Sequence, residues 1–433
     1  MKFNRYFVFL LLFPTFLQAQ RSTYFLSVDE LFQRGVENSL RIKASHLHER
    51  IADEKGKTAL TLRLPDVNVE ASFGYIGQPT ILANGLSHAT HPDTPDWSHH
   101  YKIEISQPIY KGGKTVNTIR RANLEKQIAL LSTSKDQAEL KLLLLQQYID
   151  LFTLYKQKAV FARNIEESKL RLKDIQKMWK EGVVTRNDAI RSEIQLTNDK
   201  LAYQEVDNNI YIVSQQLDMI LGLDETLQLL PDTTLLYKPV TLQSCDNYIS
   251  QAYNSYPELR LARYDTQLAL TDQRLIKADY LPSLSVCAGN VLERPITSNM
   301  ADKFINNWNI ALHLSYNLSS LYHNKHKVRS ARLDFQLQKN AEEQMMQNIR
   351  TKVRSAYIRH QEALDKVKML LQAVKQAEDN YRIVHNRYLN QLSILTDLLD
   401  ASSIRLQEEL QLTTARTNVV YTYYQLQRIC GNL

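Results

Sequence analysis

The residues able to do chemistry are present but are nowhere assembled into a reacting site. Gly112-Gly113-Lys114-Thr115 reads like the close of a phosphate-binding loop, where backbone N–H groups and a lysine cradle phosphates. That motif also requires a glycine where Pro108 stands, so we read a strand-to-helix turn instead. His88, His91, His99 and His100 crowd one segment. Imidazoles hold a metal only when they converge and are oriented by further hydrogen bonds. Their Pro- and Asp-rich setting reads as an exposed loop of the first hairpin. Cys245, Cys287 and Cys430 are far apart and form no CxxC pair or metal spacing, so they read as isolated small apolar residues. The chain has no HExxH, GxSxG, Cys–His nucleophile signature or EF-hand loop. With 46 acidic residues a carboxylate pair can be assembled anywhere, so carboxylates alone argue nothing. No catalytic, cofactor or metal site is expected.

The elements that carry these residues are unusual. The chain has 433 residues, 44% of them apolar and 23% charged, which excludes both disorder and a polytopic helical membrane protein. Glycine and proline number only 11 each, against many-turned all-β folds. The formal charge of +7 is spread out, and no basic block points to nucleic acid. Residues 1–20 carry Lys2 and Arg5, then the apolar run Tyr6 to Leu12, then a small residue at Ala19. This is the pattern of a secretory signal peptide. The run falls short of the roughly 20 residues of a spanning helix.

The mature chain is written twice. Leu217-Asp218-Met219-Ile220-Leu221-Gly222 and Leu426-Gln427-Arg428-Ile429-Cys430-Gly431 end alike, 209 residues apart. The same offset pairs Asp188 with Asp397, Trp179 with Tyr388 and Tyr148 with Tyr357. Upstream, Leu64-Pro65 and Leu281-Pro282 stand 217 apart. The division is therefore a first repeat over 21–222, a linker over 223–244 and a second repeat over 245–433.

Each repeat opens with an expected helix, 28–62 and 246–280. Two strand-like stretches follow in each. Val67, Val69, Ala71, Phe73 and Tyr75 alternate with polar residues, as do Tyr101, Ile103 and Ile105. In the second repeat Leu284, Val286 and Ala288 head one strand, and Trp308, Ile310, Leu312, Leu314 and Tyr316 alternate in the other. Then come stretches without Pro or Gly, from Lys114 to Glu181 and from Leu321 to Cys430. A helix over 114–178 spans roughly 100 Å. Ile349, Val353, Ala356, Ala363, Val367, Leu370, Val374, Ala377, Tyr381, Val384 and Tyr388 form a coiled-coil stripe broken only by His360. The first repeat matches it, with polar Gln147, Lys158 and Ser168 in the gaps.

Four strands of about ten residues cannot close a barrel, since single-chain membrane barrels need about eight. An open sheet with an apolar face pairs its edges with another copy or aggregates. Tyr75, Tyr101, Tyr110, Trp308 and Tyr316 sit near strand ends, as in a membrane-interface girdle. A soluble sheet covered by a helix is the other reading, and it leaves the long helices unexplained.

Signal peptide, duplicated helix–strand–strand–helical hairpin and the Leu-Gly close of the first copy together resemble the TolC-like outer-membrane efflux proteins. The specific pieces are Gln107-Pro108-Ile109-Tyr110-Lys111-Gly112-Gly113, Glu181-Gly182-Val183-Val184-Thr185-Arg186-Asn187-Asp188, and Tyr388 through Ala401. The resemblance implies a mainly α fold with a small β part. Duplicated antiparallel helical hairpins form a trimeric α-barrel, and four strands per chain join a shared twelve-stranded transmembrane β-barrel. It implies a homotrimer in outer-membrane lipid with a long periplasmic extension. It also implies passive export from an inner-membrane RND or ABC pump through a periplasmic adaptor (membrane fusion) protein.

The resemblance extends to single residues. Asp397 and Asp400, three apart on one helix face, match acids that ring the family's periplasmic pore entrance; a solvated helix face is the competing reading. Tyr388 and Asp188 match a tyrosine and an acid that link neighbouring helices in the closed channel, and Tyr388 also fits plain packing. Ser393 stands where the best-known member has the arginine of a second link. The hairpin turns, Gly182, Val183, Val184 and Thr185 in one and Gln391, Leu392 and Ser393 in the other, are expected to meet the adaptor. A periplasmic coiled-coil adaptor or scaffold is the alternative function, but adaptors usually carry one hairpin where this chain has two.

Overall fold

A computed structural model of the chain describes residues 22–78, 80–83, 85–91, 94–232, 242–296 and 301–433. The expected signal peptide, residues 1–20, and residues 233–241 between the repeats lie outside the described residues. The first repeat runs β1 (Thr23–Leu26), α1 (Val28–Asn38), α2 (Leu40–Thr61), β2 (Asp66–Tyr75), β3 (Ile81–Ala83), β4 (His88–Thr90), β5 (Trp97–Lys111), α3 (Lys114–Lys180) and α4 (Arg186–Leu221). Then follow β6 (Gln228–Pro231), α5 (Cys245–Ser255), α6 (Pro257–Ala278), β7 (Ser283–Arg294), β8 (Ile305–Ser315), α7 (Ser320–Leu389) and α8 (Leu395–Ile429). No helix among the described residues is long and apolar enough to cross a membrane.

The opening helix of each repeat is two helices, where the sequence suggested one. The breaks fall at Ser39 (φ −61°, ψ 123°) and Tyr256 (φ −63°, ψ 118°), which are equivalent positions of the two repeats. Pro257 explains the second, because a proline drives the preceding residue into extended backbone. No proline follows Ser39, so composition does not announce that break. Within the stretch between the repeats, residues 228–231 form β6, which pairs in parallel with β1.

By compactness the chain divides into two units that cut across the repeats. One holds residues 1–39, 140–242 and 356–426. Within it Tyr148, 1% exposed, stitches the β1–β6 pair: its hydroxyl donates to the Leu26 carbonyl (2.8 Å) and accepts from the Asp232 amide (2.6 Å). The polar interruptions of the helical stripe each find a use here except Gln147, whose buried Oε1 is unpaired among the described residues. Ser168 donates to Asp199 (2.5 Å), Lys158 to Asp207 (2.5 Å), and His360 Nδ1 meets Thr422 Oγ1 at 2.9 Å. Buried Arg171 joins Ser168 to Ser402, so α3, α4 and α8 share one hydrogen-bonded seam. Such pairs fix the register of long helices that apolar packing alone leaves free to slide.

The other unit holds residues 40–139, 243–355 and 427–433. Its sheet has the order β2-β5-β7-β8, antiparallel throughout, with β2 and β8 at the edges. The Gly112-Gly113 turn is the strand-to-helix reversal expected from the sequence. Gly112 has φ 61°, and a Cβ there would lie 2.5 Å from the Ala278 carbonyl oxygen. Only glycine fits that approach. Arg428, 8% exposed, is held by Glu258 at 2.7 Å against the last turn of α8. Burial pushes the Cys430 thiol up to about 12, which marks it as a packing residue rather than a nucleophile.

Asp218 is the exception to good pairing. It is fully buried, and neither carboxylate oxygen has a hydrogen-bond partner among the described residues. It lies in the last turn of α4, where the helix dipole also disfavours an anion. Burial first, then the charges of Asp224 and Glu225, lift its carboxyl to about 7. The folded chain thus keeps a proton that the unfolded chain releases near 3.8. Stability is expected to fall as pH rises from about 4 to about 7 and to level off above. Asp218→Asn should flatten that slope, as read from denaturant midpoints of the detergent-solubilised protein across this pH range.

Candidate functional site

The sheet leaves one face of large apolar side chains exposed to its surroundings. On one face lie Val67, Val69, Phe73 and Tyr75 of β2, Ile103 and Ile105 of β5, and Trp308, Ile310, Leu312 and Leu314 of β8, all 42–76% exposed. The opposite face carries Lys102, Glu104, Ser106 and Cys287, which are only half-buried or better sheltered. The cross-strand register keeps the two sets apart: Val69 opposes Ile103 and Ala288 opposes Ile310, while Glu70 opposes Lys102 and Cys287 opposes Ala311. An apolar face left uncovered over whole strands calls for an apolar surrounding medium. Open edges at β2 and β8 call for further strands. The aromatics singled out from the sequence, Tyr75, Tyr101, Tyr110, Trp308 and Tyr316, are all exposed.

Two histidines assigned to a loop belong to this sheet. β5 begins at Trp97, so His99 and His100 are strand residues opposite Phe73 and Ser72. His99 joins an aromatic file with Phe73 (4.7 Å between centroids) and Phe304 (5.7 Å), beside the Phe73–Trp97 stack at 4.8 Å. Trp97, His99 and Tyr101 continue the alternation of Ile103 and Ile105; an imidazole counted as polar hid it. His91 Nε2 lies 3.2 Å from Thr80 Oγ1, and His88 begins β4 in the short β3–β4 hairpin. Among the described residues no three His, Cys, Asp or Glu side chains are grouped to hold a metal.

The hairpin turns form where the sequence marks them, and they are copies of each other. Gly182 (φ 76°) and Gln391 (φ 62°) take the left-handed conformation. Val183 N donates to Met178 O and Leu392 N to Arg387 O, each at 2.8 Å, which closes a Schellman turn on either helix. The turns leave Val183, Leu392 and Ile394 exposed by 43, 67 and 65%. Beyond them the copies diverge. Thr185 and Asp188 form a reciprocal capping box that starts α4. Ile394 replaces Thr185 in the second copy, and Ser393 instead donates to Asp397 Oδ2 at 2.8 Å. Asp397 and Asp400 are both exposed on the first turns of α8.

Tyr388 packs with Ile175, Ala189, Leu395 and Leu398, and partly buried Met178 and Val184 close over them. It is 6% exposed, and its hydroxyl has no partner among the described residues. Burial, then the charge of Asp188, raises the phenol above its usual range. No hydrogen bond joins the two; Asp188 Oδ2 accepts instead from the Thr185 amide (3.0 Å) and hydroxyl (2.6 Å). Sequence reasoning missed Arg191, which ties α4 to α8 through Thr396 Oγ1 at 2.9 Å. Its only signal was position, one turn after Asp188.

Residues 248–432, essentially the second repeat, match the family model for outer membrane efflux proteins. No curated protein sequence matches the chain. Among solved structures, the outer membrane protein VceC from Vibrio cholerae is 15% identical with a TM-score of 0.77, covering 93% of this chain and 96% of its own. CusC, described in terms of folding and transmembrane channel formation, is 15% identical with a TM-score of 0.78 over 95% and 94%. The open state of the MtrE outer membrane channel from Neisseria gonorrhoeae is 14% identical with a TM-score of 0.73 over 93% and 88%. At these identities the likeness is one of fold, and it spans both repeats.

Two substitutions probe the turn. Gln391→Gly relieves a left-handed non-glycine residue and should stabilise the hairpin by about 1 kcal/mol. Tyr388→Phe removes a buried hydroxyl that has no partner in the protomer, so protomer stability should hold or rise by up to about 1 kcal/mol. Denaturant unfolding of each variant against the parent measures both.

Proposed function

We propose that this chain is an outer-membrane channel protein and not an enzyme, one subunit of a passive exit duct for efflux or secretion, a reading supported by the family match over 248–432 and by the fold. The observation that carries the reading is the four-stranded sheet with an uncovered apolar face and two open edges. Three copies supply twelve strands, enough to close a barrel in outer-membrane lipid where four cannot. The helices support the same assembly. Leu333, Leu337, Ile358, Met369 and Ile383 of α7 are 57–71% exposed in the protomer, a row of apolar side chains available to neighbouring subunits.

In this reading the helical part stands in the periplasm as a closed tube. The Gly182–Thr185 and Gln391–Ser393 turns dock the adaptor of an RND or ABC pump. Their exposed Val183, Leu392 and Ile394 supply apolar contact area suited to a partner. Asp397 and Asp400 line the pore entrance, where threefold symmetry gathers six carboxylates. Tyr388 and Asp188 belong to the gate. Since they share no hydrogen bond in the protomer and Ser393 is engaged with Asp397, the closed state rests on contacts between subunits. The alternative of a periplasmic adaptor or scaffold leaves the uncovered sheet face without a purpose.

Three measurements test this. Mass determination in detergent should give a trimer, and a stable monomer or dimer overturns the assembly. Cysteines placed at 182–185 or 391–394 should cross-link to a periplasmic adaptor, and cross-links only from the strand loops overturn the docking. In planar bilayers Asp397→Ala with Asp400→Ala should weaken cation preference and block by multivalent cations from the periplasmic side, with the trimer intact. Unchanged selectivity and block return both residues to a solvated helix face.

A further inference from the structure

We infer that the polar face of the sheet carries a belt of charges, acidic in balance, that sets ion preference inside the strand part of the duct, independently of Asp397 and Asp400. The inference rests on the channel reading above, which turns this face toward the water-filled interior. Glu70 stands directly opposite Lys102, and Lys102 Nζ lies 2.5 Å from Glu104 Oε2 on the same strand. One pair further along, His100 opposes Ser72 on one side and Glu293 on the other, with its Nδ1 3.6 Å from Glu293 Oε2. Alternation puts all five on one face. The only register shift in β5 lies at Pro108/Tyr110, beyond them. Directly opposed residues lie about 5 Å apart across strands and next-but-one residues about 7 Å apart along one. The five therefore form one compact patch on each subunit.

The balance of this patch is negative: Glu70, Glu104 and Glu293 face the single permanent cation Lys102. Stability does not require it. Asn68, Ser72, Ser106, Asn307 and Asn309 occupy the same face as neutral residues. Exposed ion pairs of this kind contribute about 0–1 kcal/mol to folding. Gly289 opposes Glu104, and the Asn309 amide oxygen lies 3.1 Å from where a Gly289 Cβ would stand, so the neutral Asn309 side chain reaches over the glycine on this face. Three subunits repeat the patch around one axis. Rings of charged side chains are the general device by which pores select ions, and low-dielectric walls focus such a field.

Cys287 is a natural reporter. It lies half-buried on the same face, opposite Ser106 and Ala311, with its thiol 3.5 Å from the Ser106 hydroxyl. In the trimer carrying Cys245→Ser and Cys430→Ala, the thiolate of Cys287 should attack a water-soluble methanethiosulfonate, forming a mixed disulfide and releasing sulfinate. Relative to their rates with a small free thiol in solution, a cationic reagent should react about fivefold faster than an anionic one of similar size. Equal rates, or faster reaction with the anion, overturn the belt. In planar bilayers, with Asp397 and Asp400 intact, Glu70→Gln with Glu104→Gln and Glu293→Gln should lower the cation-to-anion permeability ratio about twofold or more. Lys102→Gln should raise it. A ratio that moves only on substitution of Asp397 and Asp400 also overturns the belt while leaving the duct reading standing. A parent protein that forms no conducting channel overturns both.

Discussion

The fold is governed by a sheet that cannot be satisfied by its own chain. Large apolar side chains of β2, β5 and β8 stand exposed along one face, and the outer edges of β2 and β8 are left without a strand partner. A medium without hydrogen-bonding capacity leaves no choice but to pair every strand edge. The rest follows from that demand. In the proposed barrel, chain copies meet edge to edge, and the first strand pair hands over to α3 at a reversal that admits no side chain, which is the task of Gly112.

Duplication gives the chain two hairpins with one turn geometry and two different chemistries around it. Both turns close through the same pair of backbone hydrogen bonds. After the first, Thr185 and Asp188 satisfy each other and the start of α4. After the second, a serine one position earlier takes up Asp397. A repeat that diverges at its caps and not in its backbone is free to assign separate roles to the two turns without altering how the helices reverse.

Much of this was legible in the residues. The alternation of β2 and β8, the breaker-free lengths of α3 and α7, the paired turns at Gly182 and Gln391 and the Gly112-Gly113 reversal all follow from local pattern, and local pattern is what a single sequence states well. What escaped it depends on distant partners. Four-residue β1 and β6 are too short to show a period, and their pairing joins residues some two hundred positions apart. The Ser39 break has no proline to announce it. Ser168 looked like a gap in an apolar stripe, and its purpose appears only when Asp199 and Arg171 are seen beside it. His99 is a similar case, where an aromatic ring stood in an aromatic file under a polar label. Tyr388 and Asp188 were found by resemblance, and the protomer shows them as neighbours in charge and not in hydrogen bonding.

The β1–β6 pair carries a consequence for how the molecule is made. Thr23 is bonded in register to Gln228, and Tyr148 clamps both strands from α3. A polypeptide delivered from its N-terminus therefore emerges with its first strand orphaned. That strand stays so until the whole first repeat has followed, because loops of that length close late and at an entropic cost. Over the same interval the apolar faces of β2 and β5 are also exposed. Completion of this pair is thus set by the arrival of residue 228 more than by the rate at which the helices form.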